Sequence, residues 1–346
     1  MFFQRMGLKP AGAFCRRMGV GLRAGADLLR LLTSESNYGP PRQREAIAYV
    51  LDGVKQGGEI STLMKERRYF PKLMVTLTRV GEQTGKLERT FLTLAAHYEN
   101  QAALRRQFLS SIAWPMIQLF LGLCVISIVI WIMGILTPAG GGEMIDILGF
   151  GLRGSSGVLI FWCYVGVVVA VLFGLYTAFM KNIGGVQNMV PIVYLVPKIG
   201  PSLQTITLSR FTRTLSLALG AGLDPIRSVK LSLDCTDSAY YQSGGLAFEN
   251  AIRDRGDTMA GGLRSTDLFP DPFLQLVEVA ELSGTESESI DHIADQYEEQ
   301  ARGAMRILSG VATGAIWVIV AGCLVFMIMR IAMVYIGGIN DALQGL

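Results

Sequence analysis

The sequence predicts an all-α membrane protein in which a duplicated cytoplasmic helical-bundle domain is combined with three transmembrane helices. Three observations predict this fold: long runs without charge, a set of residues repeated at offsets of 197 and 199 positions, and apolar residues at helical spacing. Of the 346 residues, 51% are hydrophobic and 17% are charged. Because ordinary globular proteins carry about 25% charged residues, this average indicates soluble domains mixed with membrane spans. It excludes a disordered or collagen-like chain.

The uncharged runs locate the spans, since a helix needs about 20 consecutive apolar residues to cross the hydrocarbon core. We predict transmembrane helices over residues 112–136, 157–180 and 311–336. Tryptophans lie near both ends of the first span, where their rings prefer the membrane interface. Arg330 lies near the end of the third span, and its long stem can extend the charge to the headgroups.

The flanks of the spans predict their orientation, because cytoplasmic flanks carry an excess of Lys and Arg. We therefore expect a cytoplasmic N-terminal extension over 1–10, an external loop over 137–156 and an external tail over 337–346. The proline-containing stretch 181–209 has apolar runs too short to cross a bilayer, so we expect a linker at the membrane surface. The flanking cations are Arg105, Arg106, Lys181, Arg302 and Arg306.

The two soluble parts, residues 11–110 and 210–306, are copies of each other. At an offset of 197, Phe14, Arg16, Ala24, Gly25, Asp27 and Arg30 recur at Phe211, Arg213, Ala221, Gly222, Asp224 and Arg227. At an offset of 199, Gly57, Phe70, Pro71, Glu82, Gly85, Tyr98 and Glu99 recur at Gly256, Phe269, Pro270, Glu281, Gly284, Tyr297 and Glu298. Two inserted residues explain the change of offset. Because their residues match at fixed offsets, we call the two copies the first and second repeats. Each copy runs directly into a span.

Each repeat is predicted to be helical. In the first, one amphipathic helix covers residues 42–56. Phe70 and Pro71 open the next helix, with the proline expected at its first helical position, and the glycines from Gly81 to Gly85 end it. A last helix starts at Lys86 and continues into the membrane.

Few residues offer chemistry. The five cysteines form no CxxC pair and the two histidines are far apart, so we expect no disulfide framework, no metal and no cofactor. No Walker A sequence is present, so nucleotide hydrolysis would have to come from a partner. Glu82 and Glu281 stand beside helix-ending glycines, and we expect a cap or a partner contact because no second catalytic group shares the motif. A solvated helical face, rather than a cation site, is expected for Glu278, Glu281, Glu286, Glu288 and Asp291.

Charge distinguishes the two repeats. Residues 1–110 contain 18 Lys and Arg against 9 Asp and Glu, whereas residues 181–310 contain 11 against 16. One hypothesis is that the repeats contact different partners, or that the basic repeat of one subunit meets the acidic repeat of another. The alternative is drift, together with attraction of the basic repeat to anionic lipid.

The repeated motifs are F-x-R…AG at the head of each repeat and FP…(V/A)-(G/A)-E-x-(S/T)-G in its middle, and VPKIGPSLQTITLSRFTRTL precedes the second repeat. Together they resemble the type II secretion system F family over about Ala11 to Ile336. The residues that carry the resemblance, which are also our candidates for partner contact, are Phe14, Arg16, Gly25, Phe70, Pro71, Gly81, Glu82, Gly85, Phe211, Arg213, Gly222, Phe269, Pro270, Glu281 and Gly284.

The resemblance implies a platform protein of the inner membrane that is not an enzyme and is used in type II secretion or type IV pilus assembly. Such a protein would couple a cytoplasmic assembly ATPase to the extraction of pilin or pseudopilin subunits from the bilayer and to their polymerisation. The implied partners are that ATPase, those subunits, other inner-membrane assembly proteins, the lipid bilayer and further copies of the chain, with no nucleic acid.

Two other functions fit parts of the sequence. Three spans and a repeat would suit a small membrane transporter or channel, although the first span offers only Gln118 and Ser127 as polar groups. A membrane-anchored signalling protein would need a catalytic or phosphoacceptor domain, and no motif for one is found.

Overall fold

The structure, a computed structural model, describes residues 5–135, 154–180, 194, 196–236, 238–284 and 286–344. Throughout these ranges the regular structure is helical, without strands. Three helices are long and apolar enough to cross a membrane, and they contain Leu87–Ile132, Ser155–Gly174 and Glu286–Arg330. The prediction of an all-α membrane protein with three transmembrane helices is confirmed.

Six helices form the first repeat and the span that follows it. In chain order they are α1 Leu8–Arg23, α2 Leu28–Glu35, α3 Pro41–Lys55, α4 Ile60–Arg67, α5 Lys72–Gln83 and α6 Leu87–Ile135. The short helix α4 was not predicted, although Ile60 and Met64 form its buried side at a helical spacing of four.

One helix, α7 Gly154–Met180, separates the repeats. Seven helices follow it within the described residues: α8 Ile199–Gly220, α9 Pro225–Cys235, α10 Ala239–Gln242, α11 Gly245–Arg255, α12 Met259–Arg264, α13 Asp271–Leu282 and α14 Glu286–Gln344. Helices α8, α9, α12, α13 and α14 occupy the places of α1, α2, α4, α5 and α6 in the repeat.

Several helix ends differ from the predicted boundaries. Helix α8 begins at Ile199, inside the predicted linker 181–209, because Pro201 lies in the first turn, where a missing N–H breaks no helical hydrogen bond. Helix α1 begins at Leu8, inside the predicted extension 1–10. Pro71 and its counterpart Pro270 precede the first helical residue as N-caps in extended conformation, rather than opening the helix.

Some predicted segments fall where the structure gives no description. They comprise residues 1–4 of the extension, residue 136 at the end of the first span, residues 137–153 of the external loop, residues 181–193 and 195 of the linker, residues 237 and 285 of the second repeat, and the last two residues of the tail. The described part of the tail is helical, since α14 continues to Gln344.

The chain divides into two compact units. The helical unit comprises Met1–Gln107 and Val190–Met305 and therefore holds both repeats, and the span unit comprises Phe108–Met189 and Arg306–Leu346. Each repeat has its own apolar core, but two residues of the second repeat, Ala218 and Leu231, are buried in the core of the first. The repeats are therefore packed against each other inside the helical unit.

Within the span unit, a small buried cluster joins the membrane helices. Ile126 and Ile130 of α6 are buried, with Phe161 of α7 and Leu324 of α14 packed against them. Most other apolar side chains of these helices face outward, as lipid contact requires.

Candidate interaction surface

The phenylalanines of the repeated motif lie in the two cores. Phe14 and Phe70 are buried with their ring centroids 6.2 Å apart. In the second repeat Phe211 and Phe269 are equally buried, at 4.9 Å. Aromatic pairs at these distances stabilise a core beyond the area they bury. Each pair therefore stabilises the core of its own repeat, and these four candidates offer no surface to a partner.

The repeated glutamates bind helix starts. Glu82 of α5 accepts hydrogen bonds from the backbone N–H groups of Ile60 and Ser61, at 2.6 and 3.1 Å. Glu281 of α13 does the same for the first two residues of α12, at 2.6 and 3.2 Å. A carboxylate suits this position because the first N–H groups of a helix lack internal partners and carry the positive end of its dipole. Both glutamates therefore act as caps supplied from a neighbouring helix.

The repeated glycines satisfy backbone and packing requirements. A Cβ on Gly81 would lie 2.5 Å from Thr90 Oγ1, so this glycine permits the close approach of α5 and α6. The others end helices with φ angles that L-residues rarely adopt. Their φ values are 77° at Gly25, 67° at Gly85, 91° at Gly222 and 69° at Gly284.

The motif residues thus form two equivalent frameworks instead of one reactive site. With Pro71 and Pro270 as N-caps, thirteen of the fifteen candidates belong to cores, caps and turns; the two arginines remain. A search of the described residues finds no group of three His, Cys, Asp or Glu side chains placed to hold a metal ion.

The same duplicated framework is found in a known family. The family described as "Type II secretion system (T2SS), protein F" matches residues 14–135 and again residues 211–334. The two matches together cover more than half of the chain, and each extends over one repeat and nearly all of the predicted span that follows it. The chain belongs to this family. The predicted duplication and family resemblance are confirmed.

Several curated relatives carry assembly or secretion names. The chain is 26% identical to type IV pilus assembly protein PilC of Myxococcus xanthus, an alignment covering 89% of this chain and 75% of the relative. It is 29% identical to type 4 fimbrial assembly protein PilC of Pseudomonas putida, covering 91% and 80%. It is 22% identical to type II secretion system protein F of Vibrio cholerae, covering 92% and 80%.

In this F-family protein the two repeated arginines differ in their surroundings. Arg16 Nε donates to Glu99 at 3.0 Å, and both side chains are nearly half exposed. Arg213 is 17% exposed and its guanidinium contacts three carboxylates. Burial alone would lower the pKa of Arg213, but hydrogen bonds to Glu298 and Asp295 outweigh it and raise the pKa above its usual value.

The Arg213 cluster continues across to the first repeat. Asn100 Nδ2 donates to Glu298 Oε2 at 2.6 Å and its Oδ1 accepts from Arg302 at 3.4 Å. His97, one turn before Asn100 and ahead of the apolar part of α6, is buried beside this network. Burial, and secondarily the charge of Arg213, lower the pKa of His97 to about 4. The cluster therefore joins α6 to α8 and α14 inside the helical unit.

This junction was not predicted from the sequence. For His97 the sequence predicted only that it binds no metal. Asp291 lies on an exposed face of α14, as expected, but its Oδ1 also accepts hydrogen bonds from Arg213 at 3.1 Å and from Ser216 Oγ at 2.6 Å. The signal available in the sequence was the Arg213–Glu298 pair, which repeats the Arg16–Glu99 pair.

Opposite charges of the two repeats face each other in a cleft within the helical unit. The cleft has a volume of about 420 Å³, and its walls include Lys86 and Arg89 of the first repeat and Glu288 and Asp291 of the second. Outside the cleft, Lys72 Nζ of the first repeat binds Asp234 of the second repeat at 3.3 Å. Part of the charge difference between the repeats therefore serves attraction within one chain.

Proposed function

We propose that this F-family protein is an inner-membrane platform without enzymatic activity, which couples a cytoplasmic assembly ATPase to the extraction of pilin-like subunits from the bilayer and their polymerisation. The observation that carries the proposal is the placement of the two family segments. Each begins in the helical unit and ends in a helix apolar enough to cross a membrane. The relatives named for pilus assembly and for type II secretion support the same role.

Helices α6 and α14 are continuous over 49 and 59 residues. An α-helix rises about 1.5 Å per residue and is held by its own hydrogen bonds, so it can pass a displacement along its length. A part that transmits force from a motor to membrane-embedded subunits needs such connections in both repeats. The excess of Lys and Arg beside each span supports our proposal that the helical unit is cytoplasmic and the C-terminus external.

Deletion of the gene tests the proposal. We expect loss of secretion or of surface filaments, with the ATPase and the pilin-like subunits still present at normal levels by immunoblot. Re-expression of the full chain restores assembly. Unchanged secretion and filaments in the deletion strain would falsify the platform function.

Coupling through the helices has a sharper test. Insertion of Gly-Gly after Gln107, at the boundary of the helical unit, interrupts α6 while leaving both units intact. We expect the variant to accumulate in the membrane but to support no assembly, and the same insertion after Met305 to behave alike through α14. The control is Gly-Gly inserted in the predicted external loop after Gly141, which should support normal assembly. Full assembly with both helix insertions would exclude transmission along these helices.

The proposed partners can be separated by charge. Two full-length variants are needed. One has exposed cations of the first repeat neutralised, and the other has exposed anions of the second repeat neutralised. Each is used to capture the assembly ATPase at low and high salt. A division of partners predicts that one set of substitutions removes salt-sensitive capture and the other does not. Equal loss with both sets contradicts the division.

A further inference from the structure

A basic groove, separate from the charged cleft, runs along α4 and α5 in the helical unit. Its volume is about 1010 Å³ and it is open to solvent. Two carboxylates, Glu66 and Asp234, lie in its wall. Its cations outnumber them and are Arg5, Lys65, Arg68, Lys72 and Arg79.

Most of these cations have no carboxylate partner in the part of the chain that the structure describes. Lys72 binds Asp234, and Glu66 accepts a hydrogen bond from the Tyr49 hydroxyl at 2.7 Å instead of binding a cation of the groove. No ion pair among described residues involves Arg5, Lys65, Arg68 or Arg79. Like charges that share a concave surface raise its positive potential and favour a bound anion.

A buried hydroxyl in the same wall also lacks a partner. Ser61 is 2% exposed and lines the groove, and its Oγ has no hydrogen-bond partner among the described residues. Buried polar atoms of folded proteins are nearly always hydrogen-bonded, so an unpartnered one calls for a ligand or another explanation. Met64, Phe70 and Val75 add apolar surface beside it.

The second repeat shows that the fold does not require these groups. At an offset of 199 the groove positions Lys65, Arg68, Lys72 and Arg79 become Arg264, Asp267, Asp271 and Glu278, and Ser61 becomes Ala260. The backbone is unchanged: Arg68 and Asp267 have φ angles of 53° and 52°. In the second repeat Arg264 binds Glu278 at 3.2 Å. Their counterparts in the first repeat, Lys65 and Arg79, are both cations and cannot form such a pair. Three cations and a hydroxyl have thus been lost or reversed on the same scaffold.

We propose that the groove of the first repeat binds a phosphate-bearing anion. Guanidinium groups match the geometry of phosphate oxygens, and the Ser61 hydroxyl supplies a further donor beside an apolar floor. The volume accommodates a mononucleotide or the glycerophosphate headgroup of an anionic lipid. Both sources present the same chemistry, a phosphate ester next to a less polar group.

The test measures binding to the full chain held in nanodiscs of neutral phosphatidylcholine. The soluble probes are inorganic pyrophosphate and ATP, and their binding is measured by calorimetric titration. The lipid probe is phosphatidylglycerol added to the same nanodiscs, and its binding is measured as a rise in the unfolding midpoint of the protein. Saturable binding of the soluble probes identifies a free phosphate compound as the source. Stabilisation by phosphatidylglycerol alone identifies the headgroup. No binding by any probe at millimolar concentration overturns the proposal.

Charge variants place the binding in the groove. Arg68→Asp and Arg79→Glu introduce acidic side chains like those of the second repeat, and Asp tolerates the left-handed backbone of Arg68 better than Arg does. We expect each to weaken binding at least about tenfold, because a charge-assisted contact is replaced by repulsion. Arg44→Glu makes the same change of net charge at an exposed residue outside the groove and should alter affinity less than about twofold. Equal losses in the groove and control variants overturn the assignment.

Ser61→Ala separates ligand binding from stability. The hydroxyl has no protein partner, so its removal should leave the unfolding midpoint unchanged or raise it. Affinity for the probe should nevertheless fall several-fold, because the ligand loses a donor. A lowered midpoint with unchanged affinity would show that the hydroxyl serves the fold and would overturn its place in the site.

Discussion

The two repeats share their interior and differ on their surface. Phe14 and Phe211 fill equivalent places in the two cores, and Glu82 and Glu281 cap equivalent helices, α4 and α12. The exposed positions around them have changed sign, as at Arg68 and Asp267. Packing and capping depend on neighbours inside one repeat, so both copies keep them. Surface charge depends on what lies outside, so each copy has acquired its own.

The arginine clusters show how far this divergence goes. Arg16 and Glu99 form an isolated exposed pair, whereas Arg213 lies among Asp291, Asp295 and Glu298 and contacts the network of the first repeat. The Arg16–Glu99 pair makes contacts only inside the first repeat. Its counterpart, Arg213–Glu298, also joins the second repeat to the first through Asn100.

The largest effect is expected where the repeats are alike. Phe14→Ala and Phe211→Ala each remove a side chain that is at most 2% exposed, and each should cost about 3–5 kcal/mol of unfolding free energy. Denaturant unfolding of the detergent-solubilised chain, followed by circular dichroism, measures both. Val20→Ala, at an exposed apolar residue, is the control. A much smaller loss at one phenylalanine would break the equivalence of the cores.

The next effect concerns a residue found in one repeat. His97 corresponds to the exposed Gln296, and its pKa is lowered to about 4 by burial and then by Arg213. The unfolded chain takes up this proton near pH 6.5, so between pH 6.5 and 4 the unfolded state binds more protons and stability falls as pH falls. The full effect is about 3 kcal/mol.

The substitution His97→Gln should therefore flatten the dependence of the unfolding midpoint on pH between about 6.5 and 4. His292→Gln, at an exposed histidine, is its matched control, and a flattened slope confined to the His97→Gln variant assigns the effect to the buried histidine. An unchanged slope in the His97→Gln variant would show that His97 takes up its proton in the folded state as readily as in the unfolded one.

The smallest effect sharpens the contrast between the arginines. Arg213→Met leaves three carboxylates without their shared cation and should cost about 2 kcal/mol. Arg16→Met breaks an exposed pair and should cost less than about 1 kcal/mol. Unfolding of the two variants, measured under the same conditions at low and high salt, gives the difference. Equal costs would mean that the burial of Arg213 adds nothing to its pairing.

Much of the fold follows from patterns that a single segment carries. The uncharged runs reveal the spans, and the repeated phenylalanines and glycines reveal the duplication, because hydrophobic length and backbone requirements are local. Contacts between repeats are not local. His97 gives no sign in the sequence that it is buried. The first part of Ile199–Gly220 was assigned to a linker because Pro191, Pro197 and Pro201 lie in and just before it.

The basic groove has a signal in the sequence, namely positions at which the two repeats carry opposite charges. Comparing the repeats for identities finds Glu82 and Gly85, but the informative positions are those that differ in charge at the same offset. Lys72 against Asp271 and Arg79 against Glu278 become visible only when the two copies are compared for reversals.

The division of the helical unit between Met1–Gln107 and Val190–Met305 has a consequence for biosynthesis. Chains leave the ribosome from the N-terminus at about 5–20 residues per second, so the first repeat emerges before two membrane helices and well before its counterpart. Ala218 and Leu231, which complete its core, do not yet exist at that stage. The nascent first repeat must therefore remain open at one side while the bilayer receives the first two spans, and it closes only when the second repeat has been translated.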